Sequence, residues 1–263
     1  MASTRPVGEL LRGWRDRRKL SQLDLAIDAG ISTRHLSFVE TGRSAPSREM
    51  VLRIAEHLEV PLRERNQLLV AAGFAPLYRE TSLAELGPAR DAVRRILDGH
   101  TLYPAVVVDR SWRLLDANEP VGLLTAGVAP HLLGADANVL RIALHPDGVA
   151  RRTVNLGEWR AHLLGRLRKE ITLTGDPALQ ELHDELVAYP CDQPEPVPAG
   201  PVDFVVPLRL RHDDVPGGEL AFFSIIATFG TPLDVTVAEL AIESFFPADD
   251  VTTRFLGSVA GTR

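Results

Sequence analysis

The chain has 263 residues, and its 45% hydrophobic and 24% charged residues are typical of a globular protein, which excludes a disordered chain, a collagen-like fibre and a coiled-coil rod. Cys191 is the single cysteine, so an intramolecular disulfide and a cysteine-based metal site within one chain are excluded, and a reducing cytoplasm is the expected location. The net charge of −6 divides into +4 for residues 1–79 and −10 for residues 80–263, and a basic N-terminal part is a weak indication of nucleic-acid contact.

The first 72 residues contain signals for short helices joined by tight turns. Apolar residues recur three, four and seven positions apart from Val7 to Trp14, which predicts a helix with one buried face. Ser21 is followed three positions later by Asp24, a capping box that predicts the start of a second helix. The five predicted helices begin at Pro6, Ser21, Ser32, Ser47 and Pro61. We therefore expect an all-α five-helix domain at residues 1–75.

The second and third predicted helices are joined by Ala-Gly-Ile-Ser at residues 29–32. This length and the position of the glycine are typical of a DNA-binding helix-turn-helix. Along the third helix, which we call the recognition helix, Leu36 and Val39 face the core. The residues on the opposite face are Thr33, Arg34, Ser37 and Phe38. Their hydroxyl, guanidinium and aromatic groups are of the kinds that contact base edges and thymine methyl groups in a major groove.

With these residues the chain resembles the Cro/repressor-type (XRE) helix-turn-helix family over residues 6–72. The matching residues are Leu20, Ser21, Gln22, Leu25, Ala26, Gly30, Ile31, Ser32, Leu36, Glu40, Gly42, Pro46, Ile54 and Ala55. The resemblance implies that Thr33, Arg34 and Phe38 face bases, and that Gln22 contacts the DNA backbone or the edge of the site. It also implies an ion pair between Arg15 and Glu40, which ties the first helix to the third.

Ser32 and Arg43 complete the residues that we expect to contact DNA. At the N-terminus of the recognition helix, the amide groups point outward, where a phosphate can accept their hydrogen bonds. For the basic residues Arg12, Arg17, Arg18 and Lys19, the sequence leaves open a solvated face or phosphate contacts. The alternative function for the whole domain is a protein-binding module that titrates another regulator, because such a bundle can contain the same corner.

A second domain is predicted at residues 88–250, after a boundary in the stretch of prolines and glycines at residues 73–88. Helices are predicted at 88–97, 139–144, 156–170 and 178–188, strands at 105–108, 113–115, 204–210, 220–229 and 235–246, and a proline-rich loop at 191–201. The last of these strands is ambiguous, since its residue types also suit a helix. The pattern predicts an α+β domain, with helices on one face of an antiparallel sheet.

Four segments of this second domain resemble the sensor half of MmyB-like transcription regulators. They are residues 138–148, 154–168, 205–211 and 222–247. The resemblance covers about residues 88–250. It implies a PAS-like domain with an apolar pocket that can hold a fatty-acid-like ligand.

The candidates for the wall of such a pocket are Phe222, Phe223, Ile225, Ile226, Phe229, Phe245 and Phe246, of which Phe222, Phe223 and Phe229 are the ones that we select. Successive strand residues point to opposite faces, so only about half of the aromatic residues can face one way. An ordinary filled core is the alternative. Arg141, His145 and His162 are candidate anchors for a ligand carboxylate, with a surface ion pair or a capped helix end as the alternative for each.

Enzyme motifs are missing from the sequence, which lacks G-x-S-x-G, a P-loop, G-x-G-x-x-G and H-E-x-x-H, so no catalytic residue and no metal site is predicted. The first twenty residues lack the apolar stretch of a secretory signal, and the most apolar segment, residues 220–229, is about half as long as a membrane helix. We therefore expect a cytoplasmic regulator that binds a double-stranded DNA operator and an apolar effector, forms a homodimer and does not contact a membrane. A lipid carrier without DNA affinity is a third alternative.

Overall fold

The computed structural model describes residues 5–82, 85–194 and 205–261, which form two compact units. The first unit contains the chain up to Ser82 together with Thr172–Thr174 and Thr231–Ala238, and the second contains the rest. The division after Ser82 falls between the two predicted domains. The predicted bounds of those domains, 1–75 and 88–250, stay a prediction.

The first unit contains the five helices that the sequence predicts. They are α1 (Val7–Arg17), α2 (Gln22–Asp28), α3 (Thr33–Glu40), α4 (Arg48–His57) and α5 (Leu62–Ala71). Ser21, Ser32 and Ser47 each accept a hydrogen bond from the backbone N–H three positions later, which satisfies one free donor at each helix start. Gly30 adopts a φ of +62° after α2, a conformation that glycine reaches without strain.

A shared apolar core holds these five helices together. Leu11 and Trp14 of α1 and Leu36 and Val39 of α3 are among its buried residues. The helices α1 and α3 approach closely at Gly8, where an added Cβ atom would lie 2.3 Å from the carbonyl oxygen of Val39. This contact leaves no space for a larger residue and sets the distance between α1 and the recognition helix α3.

The second unit is built on a five-stranded antiparallel sheet. Its strands are β1 (Ala105–Val108), β2 (Leu114–Ala117), β3 (Leu208–Arg211), β4 (Glu219–Thr228) and β5 (Ala241–Pro247), in the order β2-β1-β5-β4-β3. The helices that follow α5 are α6 (Gly87–Gly99), α7 (Val121–Thr125), α8 (Val139–Leu144), α9 (Leu156–Thr174), α10 (Pro177–Val187), α11 (Val235–Ala238) and α12 (Asp250–Gly261). The predicted combination of an all-α domain with an α+β antiparallel-sheet domain is confirmed.

Helices cover both faces of the sheet, whereas the sequence predicted helices on one face. Val93 and Leu97 of α6 pack against Val107 and Ile242 on one face. On the other face, β1 residues such as Val106 join the larger core, which includes side chains of α7 to α10. The alternation of side chains along β1 therefore separates two cores, so that part of the prediction was wrong.

The segment predicted as a strand at 235–246 is divided in the structure. Its first part is the short helix α11, and only Ala241–Pro247 forms a strand. The carboxylate of Asp234 accepts hydrogen bonds from the backbone N–H groups of Thr236 and Val237, which is the geometry of a helix N-cap. This cap favours a helical turn over continued extension. The predicted strand at 204–210 begins at Leu208 instead, and residue 204 and most of the predicted loop at 191–201 lie outside the described residues.

Candidate functional site

The recognition helix α3 has one buried face and one accessible face. Its N-cap Ser32 accepts a hydrogen bond from the N–H of His35 at 3.1 Å, and Leu36 and Val39 are buried in the core of the first unit. On the other face Arg34 is exposed, while Thr33, Ser37 and Phe38 are half-buried. The predicted base-facing residues therefore lie together on the accessible face, and their contact with DNA stays a prediction.

The ring of Phe38 lies beneath two arginine side chains. The guanidinium carbons of Arg34 and Arg43 are 5.3 Å and 5.9 Å from the ring centre. A backbone hydrogen bond also joins two of these residues, because the N–H of Arg43 donates to the carbonyl oxygen of Phe38 at 2.8 Å. A cation over an aromatic face is attracted by the ring quadrupole. Phe38 thus holds two positive charges beside the accessible face of α3.

The structure brings together the two residues of the predicted ion pair. Arg15 donates from Nε to Glu40 Oε1 at 2.7 Å and from Nη2 to Oε2 at 3.0 Å. The Glu40 side chain is 0% exposed and that of Arg15 is 11% exposed. The same arginine donates from Nη1 to the carbonyl oxygen of Leu20 at 2.8 Å. This bidentate pair connects α1 to the C-terminal end of α3 inside the unit.

Glu40 also binds Gln22, the residue that the resemblance placed at the edge of the DNA site. The Gln22 amide nitrogen donates to Glu40 Oε2 at 2.7 Å, so one of its two N–H donors is in use inside the unit. Burial by itself raises the pKa of Glu40, but hydrogen bonds from Arg15 and Gln22 outweigh this effect and hold the pKa below its ordinary value. One buried carboxylate therefore positions residues of both α1 and α2.

Three of the four basic residues for which the sequence left a solvated face open have contacts within the unit. Arg12 donates from Nε to Glu40 Oε2 at 3.4 Å. Arg18 donates from Nε to the carbonyl oxygen of Leu58 at 2.9 Å and from Nη2 to that of Glu59 at 3.1 Å. Arg17 places its guanidinium 4.6 Å from the centre of the Trp14 ring. Part of the positive charge of the first 79 residues therefore belongs to side chains that support α1 and the end of α4.

A cavity of about 80 Å³ lies within the second unit, on the face of the sheet that α7 to α10 cover. The side chains that line it are almost all apolar, and they include those of Val106, Leu124, Leu140, Trp159, Leu163 and Phe245. The charged residue in the lining is Glu243 of β5. Strands and helices distant in the sequence thus line an apolar space with one charged residue, Glu243, among them.

The three phenylalanines selected from the sequence are absent from the lining of this cavity. Phe222 is 0% exposed and belongs to the larger core, where it fills space. Phe223 stacks on Phe246 with ring centres 5.6 Å apart, and Phe229 packs against the smaller core on the other face of the sheet. Of the wider set of candidates named from the sequence, Phe245 of β5 lines the cavity.

The three predicted carboxylate anchors are also absent from the lining. Arg141 binds Glu185 of α10 through Nε and Nη2, at 2.8 Å and 2.7 Å, and these hydrogen bonds hold the pKa of Glu185 below its ordinary value. His145 accepts a hydrogen bond at Nδ1 from the backbone N–H of Asp147. His162 stacks on Trp159, and burial, followed by the charge of Arg166, lowers its pKa. A histidine with a lowered pKa is mostly neutral at pH 7 and is a weak partner for a carboxylate.

Two features of the second unit were missed by sequence reasoning. Glu243 lies two residues before Phe245 in β5, and this spacing places both side chains on one face. Separately, among the described residues, His131, His145 and Asp147 each place one ligand atom within 4.8 Å of the others, and this group could hold a metal ion. Within the described ranges no helix is long and apolar enough to cross a membrane.

Two family models match the chain. A helix-turn-helix domain matches residues 6–68, and the ligand-binding domain of MmyB-like transcription regulators matches residues 89–258. These matches cover both resemblances found in the sequence and confirm them. They describe a transcription regulator and not an enzyme, in agreement with the expectation from the sequence motifs.

Similar proteins are found among curated regulators of mycobacteria. The chain is 36% identical over 109 residues to the uncharacterized HTH-type transcriptional regulator Rv0023 of Mycobacterium tuberculosis. The aligned region is 41% of this chain and 39% of Rv0023. It is 33% identical over 95 residues to the transcriptional regulator ClgR of the same species, and the aligned region is 36% of this chain and 81% of ClgR. An RNA-binding light-oxygen-voltage receptor of known structure aligns with 97% of this chain and 64% of its own, but at 13% identity and a TM-score of 0.26 the alignment supports no structural argument.

The two structural units correspond to the two family matches, one after the other along the chain. The helix-turn-helix comes first, with the accessible face of α3 formed by Thr33, Arg34 and Phe38, and the antiparallel-sheet domain with the apolar cavity follows. The ligand-binding family model alone covers more than half of the chain. The protein therefore belongs to the MmyB-like transcription regulators.

Proposed function

We propose that the chain regulates transcription by binding an operator in double-stranded DNA through α3 and by binding a small apolar effector in the cavity of the second unit. The observation that carries the proposal is the accessible face of α3. This face presents hydroxyl groups and two guanidinium groups over Phe38, while the opposite face is fixed by the core and by the buried pair of Arg15 and Glu40. Rigid placement of a few side chains is what direct reading of bases requires.

A homodimer in the cytoplasm is part of the proposal. One helix-turn-helix contacts few base pairs, and two of them reach useful specificity when they bind half-sites about 34–36 Å apart. The single cysteine is compatible with a reducing compartment.

The size of the cavity limits which effector can bind without a change in the structure. A volume of about 80 Å³ is smaller than the 300–1,000 Å³ of a typical pocket for a drug-sized ligand. A ligand of a few heavy atoms fits without change, and a longer acyl chain has to displace part of the wall. A ligand shifts DNA affinity only as far as it binds two conformations differently, so displacement of a wall is a physical route to a response.

Selection of binding sites from random duplex DNA tests the DNA-binding proposal. We expect the full chain to enrich one sequence, with binding that weakens as salt rises. Arg34→Ala is expected to weaken binding to the selected site by about 1–3 kcal/mol and to relax the preference at one base position in each half-site. Arg53→Ala changes the same charge at an exposed position of α4 and serves as the matched control. Absence of any enriched sequence would favour the alternative, a module that titrates another regulator.

A cavity-filling variant tests the effector proposal. Ala143 lines the cavity, so Ala143→Leu should abolish the thermal stabilisation of the full chain by apolar ligands. Ala178→Leu adds the same atoms at an exposed position of α10 and should leave that stabilisation unchanged. The ligand should also change DNA affinity in the wild type. Stabilisation without any DNA affinity would favour the third alternative, a lipid carrier.

A further inference from the structure

The lining of the cavity includes one charged residue, Glu243, which is not needed to hold an apolar ligand. Glu243 is only 4% exposed, and it lies in β5 between Val106 of β1 and Ile226 of β4. Its side chain lines the cavity together with Phe245, which is two residues further along the same strand. A buried carboxylate is costly unless it is paired and hydrogen-bonded, so its presence in an apolar wall requires an explanation.

A single arginine from α9 supports this carboxylate. Arg166 Nη1 lies 3.2 Å from Glu243 Oε1, and Nη2 lies 3.5 Å from Oε2. The guanidinium also lies 4.2 Å from the centre of the Trp112 ring, whose Nε1 donates to Glu170 at 2.8 Å. Arg166 is absent from the cavity lining, whereas Glu243 is part of it. Of this ion pair, the cavity lining therefore contains Glu243 and not Arg166.

The two hydrogen bonds from Arg166 leave acceptor positions on Glu243. An ionised carboxylate offers about four lone-pair sites and donates no hydrogen bond. A ligand carboxylate in the same space would place a second acceptor of the same charge against Glu243, with no proton between them. A hydroxyl or amino group would instead donate to the acceptor positions that Arg166 leaves open on Glu243.

We infer that Glu243 selects the effector by its head group, and that the cavity takes an apolar molecule carrying a hydroxyl or amino donor in preference to a carboxylic acid. This inference rests on the proposed function of the cavity as an effector site. It differs from the carboxylate ligand expected from the sequence, because the candidate anchors Arg141, His145 and His162 lie outside the lining. The feature that distinguishes the two ligand classes is one buried charged residue, Glu243, in a lining that is almost all apolar.

The test compares four six-carbon probes on the full chain by saturation-transfer NMR, with Kd values from titration. The probes are 1-hexanol, hexylamine, hexanoate and 1-fluorohexane, and Ala143→Leu identifies the signal that comes from the cavity. In the wild type we expect 1-hexanol and hexylamine to bind at least about tenfold more tightly than hexanoate, since hydrogen bonds to charged groups are the stronger ones. Equal or tighter binding of hexanoate would overturn the inference, and this comparison needs no variant of Glu243.

Glu243→Gln provides the sharper result. It removes the negative charge and leaves the positive charge of Arg166 uncompensated, so hexanoate should gain affinity relative to 1-hexanol by about tenfold or more. Glu181→Gln makes the same substitution at an exposed position of α10 and should leave the ratio unchanged. An unchanged ratio in Glu243→Gln would refute the role of Glu243. If all four probes bind the wild type equally, the cavity still serves as a ligand site and only the inference fails. If no probe binds in a way that Ala143→Leu removes, the proposed effector site fails as well.

Discussion

Loss of the Glu40 carboxylate should destabilise the first unit far more than loss of an ordinary surface charge. Glu40→Ala removes the acceptor for Arg12, Arg15 and Gln22 at once. It leaves Arg15, whose side chain is 11% exposed, with a backbone carbonyl and Asp16 as its remaining acceptors. Removal of one partner of a buried pair costs about 3–5 kcal/mol. Because the arginine keeps two acceptors, we expect a loss near the lower end, about 3 kcal/mol.

The loss should be confined to the first unit. For a domain of 60–100 residues, each kcal/mol lowers the melting temperature by about 4–8 °C, so Glu40→Ala should lower that of the first unit by at least about 12 °C. Hydrogen–deuterium exchange of the full chain separates the units. Peptides from α1 and α3 should exchange about a hundredfold faster, while peptides from β4 and β5 serve as an internal control. Glu56→Ala, at an exposed position of α4, should change stability by at most about 0.5 kcal/mol.

A double-mutant cycle decides whether the pair is the cause. If Arg15 and Glu40 act through their contact, the double alanine variant should lose less stability than the two single variants together. Strict additivity would refute the reasoning, as would a loss of less than about 1 kcal/mol in Glu40→Ala, which is the value of an exposed pair.

The lowered pKa of Glu40 adds a dependence on pH. A carboxyl group whose folded pKa lies below its unfolded value contributes stability above the unfolded pKa, and this contribution is lost as the pH falls through the folded value. The stability difference between wild type and Glu40→Gln should therefore be complete at pH 7 and should shrink below about pH 4. A difference that stays constant from pH 7 to pH 3 would show that the charge of Glu40 does not contribute.

Three further predictions concern α3 and its contacts with DNA. Gly8→Ala should separate α1 from α3, because its Cβ atom would meet the Val39 carbonyl oxygen at 2.3 Å, and thermal unfolding should show a loss larger than that of Gly13→Ala, where an added Cβ meets no neighbouring atom. Phe38→Ala should weaken operator binding in a mobility-shift titration, because each exposed cation–π contact is worth about 0.5–1 kcal/mol, and unchanged binding would mean that the ring does not position Arg34 and Arg43. The salt dependence of operator binding should have a log–log slope of about −5 to −7 for a dimer with three or four phosphate contacts per subunit, and a slope near zero would contradict DNA binding by this surface.

The helices of the first unit could be predicted because their signals are local. Ser21, Ser32 and Ser47 each act on a backbone group three residues away, and Gly30 turns the chain at its own φ angle. The apolar stripe of each helix likewise repeats within a few residues. The sequence therefore contained the helix starts, the turn and the accessible face of α3, and the resemblance supplied the long-range pair of Arg15 and Glu40.

Local signals competed with one another in the segment that follows β4. The segment 235–246 combines apolar residues that suit a helix with an aromatic run that suits a strand, and the prediction chose the strand for all of it. The Asp234 cap, a local signal that was overlooked, converts the first four residues into α11. The helices on both faces of the sheet had no local signal, because the partner of α6 is set by where β1 and β5 lie in the sheet.

The cavity was decided by the tertiary structure alone. Its walls come from strands and helices between Val106 and Phe245, so no window of sequence contains them. Of the aromatic residues that the sequence indicated, Phe245 lines the cavity, whereas Phe222 is buried in a filled core and Phe223 and Phe229 lie elsewhere. The single charge at the cavity became apparent only when antiparallel pairing aligned β5 between β1 and β4, because that register determines which face of the sheet Glu243 occupies.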